Sequence, residues 1–164
     1  MRRSRKARKM TRFLALLLCL VLPLTAAAHE FQAGDLQIIH PHIPAPPPVA
    51  KTAAGYMAIA NDGTEPDRLI GIEVEGVASA MLHATETSAD GMATMMMLDG
   101  IEIAPGEVVV FEPGEMHVMM TGLEGPLAEG DAVPATLIFE KAGSVEITFM
   151  VEAGGTSADS HTDH

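Results

Sequence analysis

Residues 113–122 read PGEMHVMMTG, the spacing of a strand entered from a tight turn. Proline presets φ and glycine accepts dihedral angles that other residues avoid, so Pro113-Gly114 suits the turn. Beyond it, His117 and Met119 stand two apart and project from one face of an extended chain, leaving Val118 and Met120 to the other. Working outward, short β-branched or alternating runs recur between Gly, Pro, Asp and Asn, with no sustained 3.6-residue period. The pattern predicts an all-β sandwich with strands at 36–40, 55–60, 67–74, 78–86, 93–98, 106–111, 117–121, 135–140 and 144–152. Turns fall at Asn61-Asp62-Gly63, Asp90-Gly91, Pro113-Gly114 and Ala142-Gly143. Pro44-Ala45-Pro46-Pro47-Pro48 lacks too many amides for a central strand and is expected to connect or to run along an edge.

The ends read differently. MRRSRKARKMTR followed by FLALLLCLVLPL and TAAAHE has the basic, apolar and small-residue regions of a secretory signal peptide, with cleavage expected after Ala28. The apolar run is about a dozen residues, short of the roughly 20 that a membrane-spanning helix needs. No membrane insertion is therefore expected after cleavage. Cys19 lies in a poor lipoprotein box. Residues 29–153 form the expected domain, and 154–164, GGTSADSHTDH, read as a flexible acidic tail.

Cleavage removes seven of the ten Lys and Arg and none of the 22 acidic residues. Lys51, Arg68 and Lys141 remain, for a formal charge of −19 over 136 residues. So acidic a surface argues against nucleic acid and anionic lipid. The lone cysteine leaves too, which excludes a disulfide, a zinc–thiolate cluster, a cysteine nucleophile and a blue-copper centre from the mature chain. There is no G-x-S-x-G elbow, H-E-x-x-H helix, phosphate-cradling glycine loop or EF-hand loop, and no enzyme is expected.

Methionine is the conspicuous residue: ten of the twelve lie beyond the leader, eight of them in MLH (81–83), GMATMMM (91–97) and MHVMM (116–120). Neutral thioether and imidazole suit Cu(I), whereas Zn²⁺ and Mg²⁺ prefer harder or anionic ligands. Met57, Met81 and Met150 read as core filler. His83, Met95, His117 and Met119 are the candidate Cu(I) ligands, while Met92, Met96, Met97, Met116 and Met120 have no assigned role. A strict two-residue hairpin at Asp90-Gly91 would set His83 opposite Leu98 and Met95 opposite Glu86, too far apart, so a longer or bulged loop is expected.

This spacing resembles the periplasmic copper chaperones called PCu(A)C, whose signature is H, an optional M, ten residues, M, twenty-one residues, then H-x-M. His83 is followed by Ala84 in the optional position, ten residues lead to Met95, twenty-one more to His117, and Met119 closes the pattern. The likeness extends to AGDLQIIHP (33–41), GYMAIAN (55–61), GIEIAPGE (100–107) and LIFEKAGSVEI (137–147). It departs at His42, where an aromatic residue is expected after Pro41. The resemblance implies a cupredoxin-like Greek-key β-sandwich that binds Cu(I) through two histidines and two methionines. It also implies delivery to cytochrome oxidase copper centres, through an oxidase subunit or its assembly factor.

Other readings stand beside it. A copper buffer conferring tolerance needs the same ligands. Cleavage after Ala28 would expose a His29 amine and imidazole, which with His161 and His164 compose a second, nitrogen-rich site for Cu(II). A copper-dependent redox enzyme with His29 as a brace and a metal-free structural sandwich are the remaining alternatives.

Overall fold

The computed structural model describes residues 30–154, and the expected leader and most of the expected tail lie outside them. The described residues form strands and loops without a helix. In chain order these are β1 (Glu30–Ala33), β2 (Leu36–Pro44), β3 (Thr52–Asn61), β4 (Asp67–Val74), β5 (Val77–Thr87), β6 (Ala93–Met97), β7 (Ile101–Ile103), β8 (Val108–Phe111), β9 (Met116–Leu123), β10 (Ala132–Phe139) and β11 (Gly143–Glu152). Each of the nine expected strands is present, with bounds that differ by a few residues at most ends. Two further short strands, β1 and β7, lie outside the nine expected ones. The proline-rich segment ends β2 and continues outside any strand.

The neighbours run β6-β5-β9-β3-β2-β11-β10-β4-β7, with β1 on β2 and β8 on β3. Placing β9 beside β3 and β11 beside β2 requires the crossovers of a Greek-key arrangement. β3 belongs to both layers: Thr52–Gly55 pair with β9, and residues 57–60 pair with β8. Alternation then supplies the core. Ile38, Ile43, Met57, Ile59, Leu82, Val118, Met120, Leu137, Phe139, Ile147 and Phe149 all point between the layers. Gly55 lets them close, because a Cβ there would lie 2.8 Å from Met120 Cε and 3.1 Å from the Phe149 ring.

Two buried polar residues tie loops to this core. Asn61 donates from Nδ2 to the carbonyls of Glu65 at 2.8 Å and Ile103 at 3.0 Å, and its Oδ1 accepts from the Gly63 amide at 2.9 Å. The Asp67 carboxylate accepts from the amides of Arg68, Lys141 and Ala142 at 2.7–2.9 Å. Each bond leaves a buried group unsatisfied if its partner is removed. Asn61→Ala is expected to lower stability by about 2–3 kcal/mol in urea denaturation, while leaving metal affinity unchanged.

Candidate metal centre

The face opposite the core carries the histidines and methionines. β5 and β9 pair antiparallel with Met81 opposite Met119 and His83 opposite His117. Residues directly opposite on neighbouring strands project to the same side, so Met81-x-His83 meets His117-x-Met119 head to tail. Two imidazoles and two thioethers become adjacent from two short motifs 33 residues apart. The ring centroids of His83 and His117 are 5.7 Å apart and the planes cross at 69°.

β6 completes the face from the other side of β5. Its loop, residues 88–92, is closed by Ser88 N–H to Met92 O at 2.9 Å and by the Met92 amide to Ser88 Oγ at 3.2 Å. This is a longer connection than a two-residue hairpin at Asp90-Gly91, as the sequence leads one to expect. It sets Met97 opposite His83 and Met95 opposite Thr85. The Leu98 amide donates to Leu82 O at 2.8 Å, which makes His83 and Met97 a non-hydrogen-bonded pair, the kind whose side chains approach most closely. Met95 lies diagonally from His83 on the same face, at a Cβ separation of roughly 7 Å that a long side chain spans.

The strand period sorts the remaining methionines. Met120 is fully buried in the core, and Met116, opposite Ala84, packs against it. Met96 alternates away from Met95 and Met97, and Met92 sits in the loop. Met57 is core as expected. Met81 and Met150 are not: both are half-buried on outward faces, and Met81 stands on the histidine face opposite Met119. Met81-x-His83 has the same two-residue period as His117-x-Met119, and that signal was available in the sequence. Met97 could be placed only with the loop length in hand. His29, His161 and His164 lie outside the described residues.

Burial grades across the site. His117 is 6 % exposed, His83 and Met119 are half-buried, and Met95 and Met97 are 59 % and 66 % exposed. Burial pushes the His117 pKa below its ordinary value, with a smaller contribution from a charge on His83. Burial thus favours the neutral imidazole, the form whose lone pair can bind a metal. His83 Nδ1 is buried and meets no hydrogen-bond partner. A buried polar atom without a partner carries a desolvation penalty that a bound ion would relieve.

With this geometry in view, known proteins locate the chain. Residues 36–151 match the family described as "Putative lipoprotein LpqE-like". A relative from Leifsonia xyli subsp. xyli, "Putative lipoprotein Lxx21020", is 26 % identical over 131 residues, 80 % of this chain and 78 % of that protein. The copper-bound PCuAC domain from PmoF2 superposes with a TM-score of 0.65 at 34 % identity, over 76 % of this chain and 98 % of that one. The apo PCuAC domain from PmoF1 gives 0.66 at 30 %, over 76 % and 99 %. CuI-DR1885 from Deinococcus radiodurans gives 0.57 at 28 %, over 77 % and 81 %.

The chain belongs to the PCuAC family. Its fold is the cupredoxin-like β-sandwich of those domains. PCuAC proteins are copper chaperones and not enzymes. Among the described residues, no helix is long and apolar enough to cross a membrane.

The lowered His117 pKa makes a signed prediction. Its folded-state pKa lies below the unfolded value of about 6.5, so the folded state resists protonation. The associated stability is present above pH 6.5 and is lost as the pH falls through that value toward the folded one. Metal-free protein is expected to lose stability in urea between pH 7.5 and 5.5, and His117→Gln to lose less over the same interval.

Proposed function

We propose that this PCuAC domain carries Cu(I) outside the cytoplasm on His83, Met95, His117 and Met119, and hands it to cytochrome oxidase copper centres through an oxidase subunit or its assembly factor. The observation that carries the reading is the β5–β9 register, which joins Met81-x-His83 to His117-x-Met119 on one face. Two further features support it. The buried Nδ1 of His83 meets no hydrogen-bond partner in the protein, and the donors on this face are neutral and soft, as Cu(I) prefers. The copper-bound PmoF2 domain and CuI-DR1885 have the same fold at 34 % and 28 % identity. Copper is the cargo here. The basic and apolar leader read from residues 1–28 directs the chain to the periplasm.

Transfer follows from ligand type. Imidazole and thioether hold Cu(I) without charge, and an acceptor thiolate bonds it more strongly, so exchange proceeds through shared ligands as one bond replaces another. Exposed methionines on β6 favour delivery over sequestration, because a buffer gains from enclosing its ion, while a carrier needs an open side.

Competitive Cu(I) titration should find one tight equivalent. His83→Ala, His117→Ala and Met119→Leu should each weaken it about tenfold or more, equivalent to about 1.4 kcal/mol. Met95→Leu is expected to cost more than Met97→Leu, and the reverse order would give Met97 the fourth position. Affinity in every variant equal to that of the parent would overturn the site.

The acidic surface adds a kinetic expectation. Transfer to an acceptor with a basic docking patch should slow as salt rises from about 0.01 M to 0.15 M, where the screening length falls from about 30 Å to about 8 Å. A stopped-flow transfer rate independent of salt would remove electrostatic steering from the mechanism.

A further inference from the structure

A second cluster of side chains with metal-ligating chemistry lies on β2 and β11, strands that contribute nothing to the histidine–methionine site. In β2, Leu36 and Ile38 point into the core, and an unbroken alternation would send His40 and His42 after them. The chain avoids this. The pairing with β3 slips by one residue between Ile39, opposite Ala58, and His42, opposite Tyr56. Pro41 and Ile43 take the buried positions, and both histidines turn outward. The slip occurs through His40, the only non-glycine among the described residues with positive φ, at 51°. It does so immediately before a proline, in a conformation that costs any residue with a Cβ.

The neighbouring strand brings a carboxylate to the same place. β11 runs parallel to β2 with Met150 beside His42 and Glu152 beside Pro44, and the Ala45 amide donates to Glu152 O at 2.8 Å. His40 Nε2 lies 3.2 Å from Glu152 Oε1, and the two imidazole centroids are 4.6 Å apart. One donor atom from each of His40, His42 and Glu152 lies within 4.8 Å of the others. His42 Nδ1 lies 3.0 Å from the His40 carbonyl. A carbonyl only accepts, so Nδ1 carries the proton and Nε2 keeps its lone pair for a ligand, the arrangement that orients metal-binding histidines.

We propose that His40, His42 and Glu152 form a second metal site for a divalent cation of borderline hardness, Cu(II) foremost. Two imidazole nitrogens and a carboxylate oxygen are harder than the thioether-rich face, and among the divalent ions Cu(II) binds such donors most strongly. An exposed histidine–carboxylate pair alone contributes too little to account for a left-handed histidine at this point. The two sites share a face: on β3, Ala54 stands opposite Met119 and Tyr56 opposite His42, both outward. Its ligand set differs from the one expected of His29, His161 and His164, which lie outside the described residues, and it does not depend on the Cu(I) proposal.

The test is a titration of the whole chain with Cu(II) against a competing chelator, in a His83→Ala/His117→Ala background that removes the other face. One equivalent is expected, with nitrogen hyperfine structure in its electron paramagnetic resonance spectrum. His40→Ala/His42→Ala should weaken it at least tenfold and abolish that structure. Glu152→Gln, which keeps shape and removes charge, should weaken it in the same direction and serves if the double variant fails to fold. Cu(II) binding indifferent to these substitutions, or lost only when His29, His161 and His164 are replaced, overturns the proposal. Tighter binding of Zn(II) than of Cu(II) overturns the assignment to copper.

Discussion

The arrangement of this protein rests on one antiparallel register, that of β5 against β9. A strand's side chains alternate with a period of two, so a slip by one residue would turn every histidine and methionine of the outer face inward and every core residue outward. The register is held from below. Leu82, Val118 and Met120 interleave beneath the site, and Gly55 admits Met120 against Phe149 of the opposite layer. Such a buried set has one low-energy pairing, and that pairing sets Met81 against Met119 and His83 against His117. The outward chemistry is thus positioned by inward packing, which explains how a site with half-exposed members keeps its geometry.

The sequence was legible wherever one rule operates over several residues. The all-β class and nine of the eleven strands follow from alternation and turn signals, and the shared face of His117 and Met119 follows from the same period. Met81 reads as core because methionine commonly fills cores, although its two-residue distance from His83 places it on the histidine face. Met97 could not be read, because the parity of β6 depends on a loop of five residues whose length no local signal states. His40 and His42 were concealed for a related reason. A bulge changes which residues face out, and Pro41 marks an irregularity without giving its direction.

Soft and hard donors are kept apart. The face built on β5, β6 and β9 offers thioethers and imidazoles, while the β2–β11 face offers imidazoles and a carboxylate. The first matches Cu(I) and the second Cu(II), so the two oxidation states of one metal would have separate places on a single outward surface. Separation has a structural basis. β3 supplies small or unreactive outward residues, Ala54 and Tyr56, between them. A methionine at either position would join the sites and blur their selectivity.

The remaining oddity is β6, an edge strand with all five residues exposed, three of them methionine. An apolar, exposed edge invites pairing with other chains. Strong net negative charge opposes such self-association, since every copy repels every other. It does not oppose a basic partner. In the proposed site, the histidine at one end is buried and the sulfurs at the other are open, so an approaching thiolate meets methionine first. In that exchange the imidazoles, held by the β5–β9 register, would stay bound while the thiolate bond forms and a thioether bond breaks. On the proposed function, release would begin at the edge strand, and the exposure that makes β6 a liability for a lone sandwich is what a carrier needs to let its cargo go.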